Sequence, residues 1–179
     1  MKKHHVILAL ASCLMVSCAH HDGLSDPSSG SSPIQRPLPQ WQREPTHSAP
    51  LHKAEELSVN AVRIGEHKEY DRVVVDLLDG NAADTTWQVE YVNPDDHGDI
   101  AKELGGETYL ALTIRGVRST HTSRPAGAVE ESDIGILHGV YLGSVVDDEV
   151  SVFIGLDKQR EFRVLTLESP ARIVIDIHH

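Results

Sequence analysis

The sequence has few cysteines, few aromatic residues and no apolar run of the roughly 20 residues that a membrane-spanning helix needs. Cys13 and Cys18 are its two cysteines, and aromatic residues make up 4% of its 179 residues. Positive charge is also scarce: the formal net charge is -11 at pH 7, and the whole excess lies after Leu57, where 22 acidic residues accompany 11 basic ones. Nucleic acid and bare anionic lipid are therefore poor partners.

Motifs of catalysis are missing as well. No Gly-x-Ser-x-Gly nucleophile turn and no phosphate-binding glycine loop occurs, and the 12 histidines show neither His-x-x-x-His nor His-Glu-x-x-His spacing. The sequence thus predicts a protein that is not an enzyme and that holds no cofactor and no metal.

Two acidic stretches leave alternatives open. Clustered oxygens in 95–99, with Glu103 nearby, suit either a Ca²⁺ site or a turn with solvated carboxylates, although the spacing does not match an EF-hand. Glu130, Glu131 and Asp133 could pair as in glycoside hydrolases, but no aromatic sugar platform lies near them in sequence. Catalysis by a carboxylate pair is therefore the less favoured function.

The N-terminus is typical of an exported lipoprotein. Lys2 and Lys3 precede an apolar run that ends in Val16-Ser17-Cys18, which predicts a signal peptide over 1–17 and lipidation of Cys18 by acyl chains such as palmitate. Cys13 is the alternative lipidation site, but it would leave an apolar region of only about seven residues. In either case the protein would be anchored by lipid to the extracytoplasmic face of the cell membrane, without a disulfide.

Residues 18–55 resemble a disordered tether. The segment contains six of the nine prolines and the run Ser-Ser-Gly-Ser-Ser, and it lacks any apolar period. Trp41, His20 and His21 are interpreted as solvated linker residues within it. Removing 19–54 should then leave the folded domain, predicted over 56–179, unaffected.

After the tether the apolar period is two almost everywhere, which predicts an all-β domain: a β-sandwich of about eight strands in two similar sheets. The expected strands are Val59–Ile64, Val73–Leu78, Trp87–Tyr91, Leu110–Ile114, Ile134–Leu142, Val150–Leu156, Phe162–Leu167 and Ile173–Ile177. Ile100–Leu104 is expected to form one helical turn, and Ser119–Asp133 the longest loop.

Two hexads, Arg72–Leu77 and Arg172–Ile177, are near copies of each other. In each, an apolar triplet alternates with Arg, Val and Asp, so one face of the strand is apolar and the other carries charge. The copies are interpreted as matching strands of two similar halves, with the Asp176 carboxylate on an outer face. The alternative makes them antiparallel neighbours, with Arg72 facing Asp176 and Arg172 facing Asp76.

The closing stretch 162–177, with its Leu-x-x-Pro turn at Leu167–Pro170 and its Arg-x-Val-x-Asp strand at Arg172–Asp176, resembles the end of an AMIN-type domain. Further similarity to the AMIN-like domain of actinobacterial-type envelope lipoproteins lies in 62–74, 89–92 and 154–157. The loop 95–99 departs from the Gly-Ser-Gly-like turn expected there.

This resemblance implies a non-catalytic binding or targeting module of the cell envelope, with peptidoglycan or an envelope protein as the partner. A wall-binding module and an adaptor for another envelope protein both remain open, and a wall-processing hydrolase is the least favoured alternative. His67, Asp71 and Arg72 in the matched region are candidate ligand-binding residues, while a purely structural role in the turn is also open for His67.

Overall fold

The computed structural model describes residues 37–49, 57–121, 129–131 and 135–179. Pro37–His179 forms one compact unit. The predicted signal peptide, both cysteines and the tether up to residue 36 lie outside the described residues, as do Ile134 and Asp133. Within the described part of the chain, no helix is both long and apolar enough to cross a membrane.

The described strands form two sheets, as predicted for a β-sandwich. One has five strands in the order β10-β11-β3-β2-β6, all antiparallel except β2 with β6. Its strands are β2 (Leu57–Glu66), β3 (Tyr70–Leu78), β6 (Val117–Thr120), β10 (Phe162–Leu167) and β11 (Arg172–His178).

The other sheet has six antiparallel strands in the order β1-β4-β5-β9-β8-β7. Its strands are β1 (Thr46–His47), β4 (Thr86–Val92), β5 (Thr108–Arg115), β7 (Val129–Glu131), β8 (Leu137–Leu142) and β9 (Glu149–Leu156). All eight predicted strands are therefore present, and β1, β6 and β7 are additional.

The core lies between the inner faces of the two sheets. The apolar triplets of both hexads are buried in it, with exposed fractions of 3% or less: Val73, Val75, Leu77, Ile173, Ile175 and Ile177. Leu110, Leu112, Ile114, Val152 and Ile154 pack in the same cluster from the six-stranded sheet. The alternation in the hexads thus identified the inward-facing side chains correctly.

The arrangement of the two hexads corrects the interpretation made from the sequence. They are not matching strands of separate halves: β3 and β11 are antiparallel neighbours in one sheet, with Arg72 opposite Asp176 and Arg172 opposite Asp76. The alternative arrangement is the observed one. Its physical reason is complementary charge, since an antiparallel pairing of two Arg-to-Asp sequences places each Arg opposite an Asp.

Residues 37–49, here called the N-terminal strap, also differ from the sequence prediction, which placed them in a disordered tether. Gln42 exchanges two backbone hydrogen bonds with Phe162 on β10, of 2.7 and 2.9 Å. Further along, β1 pairs with β4, and the Ser48 N–H donates to the Trp87 carbonyl. The strap therefore contacts one edge of each sheet, and edge strands left unpaired would invite association with other chains.

The loop predictions hold in part. A 3₁₀ helix at Pro94–His97 leads directly into α1 (Gly98–Leu104), which exceeds the single turn predicted for Ile100–Leu104. Ile100 and Leu104 of this helix pack on the outer face of the six-stranded sheet. The predicted loop Ser119–Asp133 contains the end of β6 and all of β7, so it is not one continuous loop.

Candidate functional site

Polar and aromatic side chains gather on the outer face of the five-stranded sheet, at the end where β3 begins and β11 ends. Tyr70 lies opposite His178, Arg72 opposite Asp176, and Arg163 of β10 opposite Asp176 on its other side. Residues directly opposite in an antiparallel pair share a face. Together with Trp41 of the strap, these six residues form the arginine–aromatic cluster.

The carboxylate of Asp176 is the centre of the cluster. Its side chain is fully buried, and it accepts hydrogen bonds from Arg72 Nε at 2.6 Å, Arg72 Nη2 at 3.0 Å and Arg163 Nε at 2.9 Å. The hydrogen bonds to Asp176 raise the pKa of Arg72 above its usual range, in spite of partial burial. Two guanidinium groups share one carboxylate, so the cluster keeps an excess of positive charge on an otherwise acidic domain.

Aromatic rings cover the two arginines. The guanidinium carbon of Arg163 lies 4.3 Å from the centre of the Trp41 ring and 5.3 Å from that of Tyr70, and Arg72 lies 5.2 Å from the Tyr70 ring. The Trp41 ring meets His178 edge-on at 5.0 Å. The three guanidinium-to-ring distances are in the range of cation–π contacts. Such contacts hold the guanidinium planes of Arg72 and Arg163 in fixed orientations.

The turn between β2 and β3 extends this surface. The His67 N–H donates to the Tyr70 carbonyl at 3.0 Å, and the His67 ring stacks on the Tyr70 ring at 4.5 Å. The His67 side chain is exposed. A ligand at this edge would meet an imidazole, a phenol ring and the Arg72 guanidinium, whose side chain is 29% exposed. That combination suits carboxylate groups and the faces of sugar rings.

The family comparison covers every residue of this surface except Trp41. A family model for the AMIN-like domain matches residues 57–179, which is more than half of the chain. The chain belongs to the AMIN-like family. A comparison with curated proteins finds no significant match. Membership of the AMIN-like family suggests, in general, a non-catalytic peptidoglycan-binding or targeting module with an extracytoplasmic location in the cell envelope.

The three ligand-binding candidates from the sequence occupy two different places in the AMIN-like domain. His67 and Arg72 lie on the outer surface, one on each side of Tyr70. Asp71 points to the opposite face and is fully buried, with its carboxylate accepting from the Ile136 N–H at 2.8 Å and facing His179 Nε2 at 3.1 Å. Gly135 has a φ of 59°, and a Cβ at this position would collide with the Asp71 carboxylate. We therefore assign Asp71 a structural role in joining β3 to the 135–136 turn.

Sequence reasoning missed most of the cluster. Tyr70 and His178 could have been found, because they continue the outward-facing alternation of the two hexads by one step. Arg163 likewise occupies an outward-facing position in the alternation of β10. Trp41 carried no such signal, since its contact depends on the path of the strap.

The acidic stretch 95–99 of the AMIN-like domain is helical: it lies in the 3₁₀ helix Pro94–His97 and the first turn of α1. Asn93 caps the 3₁₀ helix, since its Oδ1 accepts from the Asp95 N–H at 3.1 Å. The His97 ring packs against Phe153 at 4.8 Å. Among the described residues, no group of three or more His, Cys, Asp or Glu side chains is placed to hold a metal ion.

Proposed function

We propose that the protein is a lipid-anchored, extracytoplasmic and non-catalytic module that binds cell-wall polymer through the arginine–aromatic cluster and His67. The observation that carries this proposal is the pairing of two arginines with one buried carboxylate beside half-buried aromatic rings, within a domain of the AMIN-like family. The excess guanidinium charge suits the carboxylates of wall peptides, and the exposed His67 ring, which stacks on Tyr70 with one face, suits a sugar ring on its other face.

The rigidity of this surface supports binding. Arg72 and Arg163 are already ordered by Asp176 and the rings, so ligand binding would cost little side-chain entropy. Arg163 is only 11% exposed and acts mainly as a support, whereas Arg72, Tyr70 and His67 would make the contacts.

The anchor is a separate part of the proposal and rests on the sequence of residues 1–18. Cleavage before Cys18 and its acylation would tie the domain to the membrane through the tether, with two or more acyl chains needed for stable attachment. Mass spectrometry of the membrane fraction should show an acylated Cys18 at the N-terminus. An unmodified chain, or one that begins at Cys13, would contradict the assignment.

Binding is tested by co-sedimentation of the protein with purified sacculi. The bound fraction should fall between about 50 and 300 mM salt but not vanish, because salt screens the exposed contacts of guanidinium with carboxylate groups and does not screen the aromatic contacts. His67→Ala and Arg72→Gln should each lower the bound fraction, with circular dichroism used to verify the fold of both variants.

Arg63→Gln is the matched control. Arg63 lies on the same sheet and makes the same two-pronged contact, here with Asp76 at 2.7 Å, but it is outside the cluster. It should leave the bound fraction unchanged. Equal loss in Arg72→Gln and Arg63→Gln would reduce the effect to general charge, and no sedimentation of the unaltered protein would favour a protein partner instead of the wall.

A further inference from the structure

A groove lies on the outer face of the six-stranded sheet, between α1 and the turn that joins β8 to β9. Its volume is about 520 Å³, which is within the range of ligand-binding clefts. The residues that shape it are Ile100, Tyr141, Ser144, Asp147, Glu149 and Phe153. None of these belongs to the arginine–aromatic cluster, which is on the other sheet.

The floor of the groove is apolar. Tyr141 and Phe153 lie 6.3 Å apart with their ring planes tilted by 52°, and Phe153 is only 7% exposed. A sugar needs an open ring face on which to stack, and these rings do not provide a shared flat platform. The apolar lining of Ile100, Tyr141 and Phe153 suits an aliphatic side chain instead.

The rim of the groove is polar and acidic. Asp147 is exposed at the tip of the turn, and the Glu149 side chain is 41% exposed beside it. Glu149 is held by Arg115 at 2.9 Å, but the described residues that line the groove include neither Lys nor Arg. The lining thus combines an apolar floor with negative charge at one end.

We propose that this groove binds a peptide segment that carries a basic side chain next to an apolar one. The apolar side chain occupies the floor between Ile100 and Tyr141, and the basic group meets Asp147 at the rim. The acidic excess of the whole domain favours the approach of such a segment over long range. This site is independent of the wall-binding surface, so either proposal can fail without the other.

The test is a titration of the isotope-labelled full chain in neutral detergent, followed by two-dimensional NMR. The probe is a blocked tetrapeptide that alternates Leu and Lys. The backbone amides of Ser144, Val146, Ser151 and Phe153 should shift together during the titration. Tetrapeptides of Leu with Glu, and of Ser with Lys, should shift them much less, because each removes one of the two contacts.

Asp147→Asn should weaken binding of the Leu/Lys peptide about two- to fivefold, the range of an exposed ion pair. Asp147 has a φ of 51°, a conformation that Asn tolerates, so the variant should fold normally. Asp79→Asn is the matched control: Asp79 has a φ of 63° and is exposed, but it is outside the groove.

Three outcomes would overturn the proposal. The first is the absence of shifts at the groove amides with the Leu/Lys peptide. The second is equal weakening of binding by Asp147→Asn and Asp79→Asn. The third is a stronger response of the same amides to chitotriose, which would make the groove a saccharide site.

Discussion

The Arg72 guanidinium donates two hydrogen bonds to the Asp176 carboxylate, across a strand pair in which two nearly identical hexads run in opposite directions. The two Arg–Asp pairs that face each other across these hexads do not make equivalent side-chain hydrogen bonds. Arg172 lies opposite Asp76, yet Arg172 Nε donates to the Pro170 carbonyl and Asp76 accepts from Arg63. Only one of the two opposed pairs is an ion pair in the described structure.

This asymmetry gives the first prediction. A double-mutant cycle on Arg72 and Asp176, with Arg72→Gln and Asp176→Asn, should show a coupling of about 1–3 kcal/mol in the free energy of unfolding. The same cycle on Arg172 and Asp76 should show coupling close to zero, since these side chains do not bond to each other. Urea unfolding measures both. Equal coupling in the two cycles would contradict the observed geometry.

The N-terminal strap should contribute to stability. A chain that begins at residue 55 loses the Gln42 pairing, the β1 strand and the Trp41 contact with Arg163, and its melting temperature should fall by about 5–10 °C. A chain that begins at residue 37 keeps all three and should melt like a chain that begins at residue 19. Thermal unfolding of the three chains checks this, and identical melting temperatures would show that the strap adds nothing.

A substitution in the turn between β8 and β9 should raise the stability of the fold. Asp147 and Asp148 both have positive φ, 51° and 60°, and a two-residue turn of this kind strongly prefers glycine at its second position. Asp148→Gly should raise the free energy of unfolding by about 1 kcal/mol, whereas Asp148→Ala should lower it. Chemical denaturation distinguishes the two signs, and a stabilising Ala would be inconsistent with the turn.

Alkaline pH should weaken the fold through Tyr91. Burial raises the pKa of the Tyr91 phenol above 10.0, its ordinary value, and the hydroxyl accepts from the Arg160 N–H at 2.8 Å while donating to the Arg160 carbonyl. The folded state therefore favours the neutral phenol. This contribution is fully present below pH 10 and is lost as the pH rises through the higher pKa of the folded state.

Tyr91→Phe removes that titration. It should cost about 1 kcal/mol at neutral pH, because the Arg160 backbone groups lose a partner, and the loss of stability above pH 10 should become shallower. Some of the alkaline slope should remain, since burial also raises the pKa of Tyr109. Urea unfolding at several pH values provides the measurement, and an unchanged slope would contradict the assignment to Tyr91.

Local pattern was enough to predict most of the fold. Strand alternation identified the eight main strands and the inward-facing triplets, because a two-sheet core imposes a period of two. It did not settle the partners of each strand. Two near-identical hexads can match in separate halves or pair with each other, and the choice depends on contacts between residues about 100 positions apart.

The candidate site was less predictable for the same reason. Outward alternation suggested that Asp176 would be exposed, but its two arginine partners bury it completely, so its substitution should cost about 3–5 kcal/mol instead of the small change typical of an exposed residue. Trp41 lies in a segment rich in proline and without apolar period. Its position over Arg163 depends on tertiary contacts that no local pattern records.

The most direct measurement of wall binding is an NMR titration with soluble fragments of peptidoglycan, observing the Trp41 indole N–H and the Nε–H groups of Arg72 and Arg163. These three signals come from the cluster itself. The proposed function predicts that they shift together and saturate, and that His67→Ala weakens the response. Signals that stay unchanged while amides elsewhere in the domain shift would contradict the account.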